Sequence, residues 1–549
     1  MKVIIVGGVA GGATTAARLR RLDEKVEIIM IDKGNHISFA NCGLPYYVGD
    51  VIKEEQDLLL QTPESFNKRF NIDVRVQEEV IKIEPDEKKI LIKKLNTKEE
   101  YEEDYDKLVL SPGAEPINPF KNLESKRIKT LRTVEDSVAI KKYLEENNVE
   151  EITIIGGGYI GVEMAENLSN YSNLKITIVQ KGSHLINPLD EDMACLVHSR
   201  LRKNGINIIL NNGVDKIKEN ERLEITLENG RTIKSDFAIL CIGVKPENML
   251  ALDSKLKTKL KNEAISVNEY MQTSNKDIYA LGDAVSATNT ITGNSAYTPL
   301  AGPANRQARV VANNIVGRAT SYEGAIGSSI IKIFDYNLAM AGLNEKMCKD
   351  EKLDYKAIII SPNSHAGYYP GAKMLIIKAL YNEVNGQIYG AQVFGKEGVD
   401  KICDILAVAI KMKMTAYDLE KLELCYAPPF SSAKSPVNIL GNSIVNQIEK
   451  LVKTVTWKEV EILKKKENVC ILDVRTDEEY KKGAYENAIH IPLDDLRNRL
   501  DELDKTKEYL VYCRTGLRSY IACRILEQNG FNVQNITGGY YLYSVLVDV

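Results

Sequence analysis

Two of the nine cysteines stand where sulfur can react. Cys513 closes the apolar run Tyr509-Leu510-Val511-Tyr512 and opens Cys513-Arg514-Thr515-Gly516-Leu517-Arg518-Ser519, a spacing that predicts strand, loop and helix N-terminus. Loop N–H groups and the helix dipole stabilise a thiolate or a persulfide anion there. Cys42 lies in Ser38-Phe39-Ala40-Asn41-Cys42-Gly43-Leu44-Pro45-Tyr46-Tyr47, which has a proline and no regular apolar period. A CxxxxC dithiol would need a second cysteine at residue 47, where Tyr47 stands. A redox-active Cys42 therefore draws its partner from outside: a substrate thiol, or oxygen giving a sulfenic acid. The other cysteines are scattered without a CxxC, and Cys470 and Cys523 read as packing residues. The five histidines form no HxxxH or HExxH pattern, so the sequence supports neither a disulfide framework nor a metal site.

These sulfurs need scaffolds, and the chain supplies them. Val3–Val6 is a β-branched run followed by Gly7-Gly8-Val9-Ala10-Gly11-Gly12, a helix-compatible stretch, and a second strand ending at Asp32. This strand–turn–helix–strand–acid order is a dinucleotide fingerprint, with Val9 in place of the second glycine. The pattern returns complete at Gly156-Gly157-Gly158-Tyr159-Ile160-Gly161, between Ile152–Ile155 and Lys175–Val179. Two such units predict two bound dinucleotides.

The whole chain is consistent with that reading. Its 549 residues predict three or four domains, and 44% hydrophobic with 27% charged residues is ordinary for a globular protein. The 72 basic and 76 acidic residues leave a net charge of −4, so nothing points to nucleic acid or a membrane surface. No run of about 18 apolar residues occurs, and the N-terminus lacks a signal-peptide cleavage site. A cytoplasmic location is expected.

Tyr279-Ala280-Leu281-Gly282-Asp283 resembles the second flavin motif of the two-dinucleotide flavoprotein disulfide reductases. Leu110-Ser111-Pro112-Gly113-Ala114 and Leu240-Cys241-Ile242-Gly243-Val244-Lys245-Pro246-Glu247 resemble that family's crossovers between domains. The resemblance implies an α/β architecture with two Rossmann-like dinucleotide-binding domains, for FAD and for NAD(P)H, and an α+β dimerisation domain. The implied FAD domain is discontinuous, 1–110 and 250–325, the NAD(P)H domain is 111–249, and the dimerisation domain is 326–446. FAD would contact Gly7, Gly8, Ala10, Gly11, Gly12, Asp32, Lys33, Val80, Ser111, Pro112, Gly113, Gly282, Asp283, Pro299, Leu300 and Ala301. The nicotinamide cofactor would contact Gly156, Gly158, Tyr159, Ile160, Gly161, Gln180, Lys181 and Gly243. A homodimer is expected.

The SFxxCGxPY arrangement around Cys42 is similar to the coenzyme A-disulfide reductase group. Related oxidases and peroxidases carry a histidine in the first glycine turn, where this chain has Val9 and Ala10. In the group, tyrosines in segments like His365–Gly371 and Tyr426–Ser431 reach the other subunit's cysteine, which implies Tyr368, favoured over Tyr369, and Tyr426. Coenzyme A carries phosphates, and Thr14, Arg18, Arg21, Ser38, Asn41, Arg306 and Lys434 are the implied contacts. Arg18 and Arg21 read equally as solvated helix charges.

Residues 447–453 read as a linker into a fourth domain, 454–549. Its Leu472-Asp473-Val474-Arg475, GAxxNAIHIP and Cys513–Ser519 elements resemble a single α/β rhodanese domain, with Tyr540 where tryptophan is frequent. The rhodanese loop Arg514, Thr515, Gly516, Leu517 and Arg518 would hold the substrate around Cys513. Cys513 to Arg518 also fits the cysteine-x5-arginine cradle of phosphatases, which would further need a catalytic acid on a mobile loop. Together the resemblances imply an NAD(P)H-dependent flavoenzyme reducing coenzyme A disulfide, coenzyme A persulfide or polysulfide through Cys42, with Cys513 handling sulfane sulfur. Two alternatives stay open: an NADH oxidase or peroxidase acting through a Cys42 sulfenic acid, and a sulfur-delivery protein. The second strand ends Val179-Gln180-Lys181 instead of in an acid, so NADPH is expected to compete with NADH.

Overall fold

The computed structural model describes residues 1–120, 122, 123 and 125–547. They form two compact units: Met1–Ser183 with Gly205–Gly327, and His184–Asn204 with the chain from Ser328 on.

The strands that matter in the first unit are β1 (Lys2–Val6), β2 (Glu27–Asp32), β3 (Asp73–Val76), β4 (Lys107–Leu110) and β5 (Ile128–Thr130). They are followed by β6 (Glu151–Ile155), β7 (Lys175–Val179), β8 (Asn207–Ile209), β9 (Phe237–Leu240) and β10 (Ile278–Ala280). The helices used below are α1 (Ala10–Leu22), α2 (Leu44–Val48), α3 (Tyr159–Leu168) and α4 (Ala301–Ile315). Two five-stranded parallel sheets result, in the orders β10-β4-β1-β2-β3 and β8-β7-β6-β9-β5. Val3, Ile4 and Ile5 are fully buried, as expected for a parallel strand covered on both faces.

Register decides where the turns emerge. Val6 lies opposite Ile31 and Leu110, and Ala280 opposite Leu110, so Gly7, Asp32, Ser111 and Leu281 leave one edge of the sheet together. Ile155 lies opposite Val179 and Leu240, which brings Gly156, Gln180 and Cys241 to the matching edge of the second sheet. Those carboxyl edges are where doubly wound sheets bind ligands.

The second unit contains an antiparallel sheet of β11 (Ser328–Ile333), β12 (Tyr336–Gly342), β13 (Lys356–Ile360), β14 (Leu375–Tyr381) and β15 (Ile388–Gly395), in the order β11-β12-β15-β14-β13. Helices α5 (Val399–Lys411) and α6 (Pro436–Ile448) follow. All seven positions of β14 are buried, including Lys378. Its Nζ lies 2.7 Å from Asp192 Oδ2, 2.5 Å from Glu345 Oε1 and 3.2 Å from Asp190 Oδ2. Asp190 is held further by Gln392, whose Nε2 donates to Oδ2 at 2.9 Å, and by the Glu345 N–H at 2.8 Å. Burial opposes the ammonium, but the three carboxylates outweigh it and hold Lys378 well above its ordinary pKa. The sequence reading places 184–204 inside the 111–249 domain. The acidic start of the helix Glu191–Lys203 is drawn to Lys378, and the segment packs in the second unit.

The connection after α6 also begins later than the 447–453 linker. Gln447 is still helical, and its Oε1 accepts from the Tyr381 hydroxyl at 2.7 Å and the Thr454 hydroxyl at 2.8 Å. A parallel sheet then forms from β16 (Thr454–Val455), β17 (Val469–Asp473), β18 (Ile489–His490), β19 (Glu508–Tyr512) and β20 (Asn532–Ile536), in the order β16-β20-β19-β17-β18. Helices α7 (Asp477–Lys481) and α8 (Leu517–Gln528) flank it. Trp457 is 4% exposed, packs on Tyr485, Tyr512 and Tyr543, and donates its indole N–H to the Gly539 carbonyl at 2.8 Å. No described helix is long and apolar enough to cross a membrane.

Candidate functional site

The first glycine turn is built for a phosphate-bearing ligand. Gly7 has φ +95°, and a Cβ on it would lie 2.1 Å from the Ser111 carbonyl oxygen. A Cβ on Gly12 would lie 1.8 Å from the Gly7 oxygen, so α1 starts hard against the strand ends. No side chain caps α1 and no acid occupies its first turn, which leaves its N–H groups for an anion. Val9 sits at φ −95°, so its turn position demands no glycine, and a Cβ at the equivalent Gly158 meets nothing within 4 Å. Asp32 accepts the N–H of Gly8 and of Gly34, both at 2.7 Å. Burial raises its carboxyl pKa, with those two N–H groups opposing.

A cleft of about 800 Å³ opens over this turn. Of the residues predicted to contact FAD, Gly7, Ala10, Gly11, Asp32, Lys33, Val80, Ser111, Pro112, Gly113, Gly282 and Asp283 line it. Gly8 and Gly12 stand outside the lining, and Pro299, Leu300 and Ala301 stand at the start of α4. Glycine close approaches, an uncapped helix start, a buried acid and a cleft of that size fit a dinucleotide such as FAD. The sequence reading missed Arg132, which lines the same cleft and pairs with Asp283 at 3.1 Å. No motif signals it.

The second turn repeats the device with an amide. Gln180 Oε1 accepts the Gly157 N–H at 2.9 Å, much as Asp32 holds Gly8. Gly156 has φ +104°, a Cβ on Gly161 would lie 2.1 Å from its oxygen, and Gly158 caps α3 ahead of Tyr159 and Ile160 without a side-chain bond. Gly243, φ +111°, turns the chain just after β9. Lys181, a 2′-phosphate contact in the sequence reading only if it points inward, pairs through its Nζ with Glu228 Oε1 at 2.7 Å.

Cys42 sits in the turn Asn41–Gly43 that runs into α2, and it is exposed. Ser38, in the left-handed region at φ 47°, donates its N–H to the Gly8 carbonyl at 2.8 Å and ties this segment to the first turn. Asn41 lines the cleft. After α2, the Val48 and Gly49 carbonyls accept from the Tyr171 hydroxyl and the Asn170 amide, each at 2.8 Å. That docking sets Glu163 and Glu166 of α3 against Cys42 and Tyr46. Although Cys42 reaches solvent, the protein packed around its sulfur, with Glu163 and Asp283, pushes the thiol up, and Arg132 opposes it. Burial and Glu166 push Glu163 up to about 7, while burial, Glu163 and Glu166 take Tyr46 to about 12. Glu163 and Tyr46 were missed in the sequence, although Glu163 follows the second glycine turn by two residues.

Of the predicted phosphate contacts, Thr14, Arg18 and Arg21 stand on α1 and Arg306 on α4. Thr14 donates its hydroxyl to Asn305 at 2.8 Å, and Arg18 Nη2 donates to Asn313 at 3.3 Å. Arg18 Nε is buried without a partner, and Arg309, Arg21 and Arg318 crowd its charge. Arg309 and Arg318 thus stand near Arg18, and Arg306 lies beside Tyr322. Lys434 is exposed in the second unit. Also there, the Tyr368 and Tyr426 hydroxyls are 2.9 Å apart and both side chains are exposed, whereas Tyr369 packs edge-on against His365.

Cys513 directly follows β19 and is fully buried. Its Sγ accepts the Gly516 N–H at 3.1 Å and lies 3.5 Å from the Ser519 hydroxyl. Gly516, φ +113°, caps α8 ahead of Leu517, Arg514 and Leu517 point into solvent, and Thr515 is half-buried. A Cβ on Gly539 would lie 2.6 Å from the Arg514 carbonyl, so the loop's far side is closed by close backbone packing. Behind it the buried Asp473 and Arg475 side chains pair at 2.6 Å, and Arg475 lies 3.9 Å over the Tyr540 ring. Tyr540 thus supplies an aromatic face at the position where tryptophan is frequent.

Comparison with known proteins matches this geometry. The family profile of the pyridine nucleotide-disulphide oxidoreductases matches residues 1–308, that of their dimerisation domain 328–436, and that of the rhodanese-like domain 456–545. A coenzyme A disulfide reductase of Staphylococcus aureus (strain JH9) is 37% identical over 441 residues, 80% of this chain and 99% of that one. The crystal structure of reduced Bacillus anthracis CoADR-RHD superposes with a TM-score of 0.96 at 45% identity, covering 100% of this chain and 98% of that one. An NAD-dependent persulfide reductase from A. fulgidus does so at 0.93 and 35% identity, covering 99% and 100%. The chain therefore belongs to the pyridine nucleotide-disulphide oxidoreductase family and carries a rhodanese-like domain behind the family's dimerisation domain.

Proposed function

We propose that the protein uses NAD(P)H to reduce the sulfur–sulfur bond of coenzyme A persulfide or coenzyme A disulfide at Cys42, with Cys513 carrying sulfane sulfur. The observation that carries this reading is one accessible thiol beside two dinucleotide turns, together with a second, amide-cradled thiol in the same chain. In balance, NAD(P)H, a proton and coenzyme A persulfide give NAD(P)⁺, coenzyme A and hydrogen sulfide; the disulfide gives two coenzyme A thiols. Bound FAD supplies the two-electron link between the nicotinamide and sulfur. The α1–α4 arginines hold the phosphates of coenzyme A, and Cys42 takes the sulfur. Glu163, with its carboxyl near neutrality, holds a proton beside Cys42 for the leaving thiolate.

Tyr368 and Tyr426 belong to an exposed face that also presents Phe430, 71% exposed, and a homodimer covers such a face. Their paired hydroxyls then serve the cysteine of the other subunit. At the nicotinamide site, Glu228 cancels Lys181, which weakens NADPH relative to the sequence expectation. Glu228→Gln should raise the NADPH:NADH ratio of kcat/KM by about fivefold; an unchanged ratio would remove Lys181 from cofactor selection.

The deciding assay is anaerobic NAD(P)H oxidation with coenzyme A persulfide, coenzyme A disulfide or polysulfide, measuring sulfide and thiol. Stoichiometric sulfide or coenzyme A supports the proposal. Equal NADH consumption in air without a sulfur substrate, with water or peroxide formed, would replace it by the oxidase reading.

A further inference from the structure

Resting on the sulfur-carrying role proposed for Cys513, a further property follows from the charges around that sulfur. Arg518 is a side-chain cation within reach of the Cys513 sulfur. Its guanidinium is gripped on both sides by Glu479, with Nη2 2.8 Å from Oε1 and Nη1 2.7 Å from Oε2.

Glu479 cannot swing away easily. It is the third residue of α7, where its backbone N–H donates to the Thr476 hydroxyl at 3.3 Å and its carboxylate accepts the Thr476 N–H at 3.1 Å. Its carbonyl accepts from Arg475 Nη1 at 3.3 Å, and Arg475 is itself fixed by the buried Asp473. A chain of polar contacts thus runs from the sheet to the loop and presents a carboxylate to the cradle's arginine. Arg514, the loop's other cation, points into solvent.

Two kinds of sulfane donor meet this cradle differently. Thiosulfate is a compact dianion whose sulfonate must enter with the sulfur, and it needs an uncompensated cation. A persulfide on a carrier thiol brings one slender terminal sulfur and keeps its other charges outside. Cys513 is fully buried, so a donor must bring its outer sulfur into the loop, beside Arg518.

We infer that Glu479 is a specificity-determining positioning residue, which by neutralising Arg518 turns the Cys513 cradle away from small oxyanion donors and towards the terminal sulfur of a carrier-thiol persulfide. In the transfer, the Cys513 thiolate attacks the outer sulfur of R–S–S⁻, the old S–S bond breaks, and a proton is taken up. The products are the Cys513 persulfide anion and RSH, with no net oxidation. Cyanide as test acceptor then removes the sulfur as thiocyanate and returns the thiolate.

The test uses the full chain in a Cys42→Ser background without nicotinamide, with cyanide as acceptor and either thiosulfate or coenzyme A persulfide as donor. Glu479→Gln keeps the bond to the Thr476 N–H but removes the charge. It should raise kcat/KM for thiosulfate by about tenfold, chiefly through KM, and change that for the persulfide by less than about threefold. Equal change for both donors, or none, overturns the inference. Should the substitution prevent folding, the chain with Glu479 intact still decides: thiosulfate at or above the persulfide in kcat/KM overturns it, and the reverse supports it. Cys513→Ser separates this from the underlying reading, because surviving transfer from both donors would mean that Cys513 is not the sulfur carrier at all.

Discussion

Cys42→Ser should abolish sulfide release from coenzyme A persulfide, lowering turnover by about three orders of magnitude or more. A serine hydroxyl can neither hold a sulfane sulfur nor exchange two electrons with one. The substitution is otherwise mild, since Cys42 is exposed and the turn that carries it is fixed by backbone contacts at Ser38 and by the docking of the α2 end on Tyr171. The cleft is lined by other residues, so FAD should stay bound and NAD(P)H should still bleach it. Anaerobic stopped-flow spectra with a sulfide assay read both halves. Turnover at the unmodified rate would eliminate Cys42 as the redox residue.

The largest expected effect on stability lies at Lys378. Replacing it by methionine leaves Asp190, Asp192 and Glu345 facing one another around a buried gap, and removing one partner of a buried ion pair costs about 3–5 kcal/mol. The pH dependence contributed by Glu345 should also reverse. With Lys378 present, the Glu345 carboxyl is held below its ordinary value despite burial, so its contribution exists above the unfolded pKa and is lost on acidification. In Lys378→Met the cation that opposes burial at Asp190 and Glu345 is gone, so Glu345 rises and Asp190, which burial already holds above its ordinary value, rises further. The folded state then binds more protons than the unfolded one around neutrality. Stability then falls as pH rises through the raised values, and the variant should be more stable at about pH 5 than at about pH 8. Urea unfolding of the second unit at both pH values checks this; a loss below about 1 kcal/mol, or an unreversed pH trend, would show that the three acids do not depend on Lys378.

The elements carrying chemistry were legible because each has a local signature. β-Branched runs ending in glycine turns announced both nucleotide sheets, and the strand into Cys513 announced the cradle. What escaped is set by distant pairing. Arg132, Glu228 and Glu479 act through partners 151, 47 and 39 residues away, and no local pattern encodes such a pairing. Lys181 shows the consequence: a lysine whose direction the sequence leaves open is half of an ion pair in the fold. The pairing of Asp190 and Asp192 escaped for the same reason, since these acids look like ordinary helix-start residues until the buried lysine they surround is known.

Trp457 is the single tryptophan in the chain, and its indole N–H ends on Gly539, the residue packed against the Arg514 backbone. Emission excited near 295 nm would therefore come from one ring, two contacts from the sulfur-bearing loop. Loading of Cys513 should change that emission in the unlabelled protein, read in sulfur-transfer assays without NAD(P)H, whose absorbance overlaps it. The rhodanese-like domain carries its own dye.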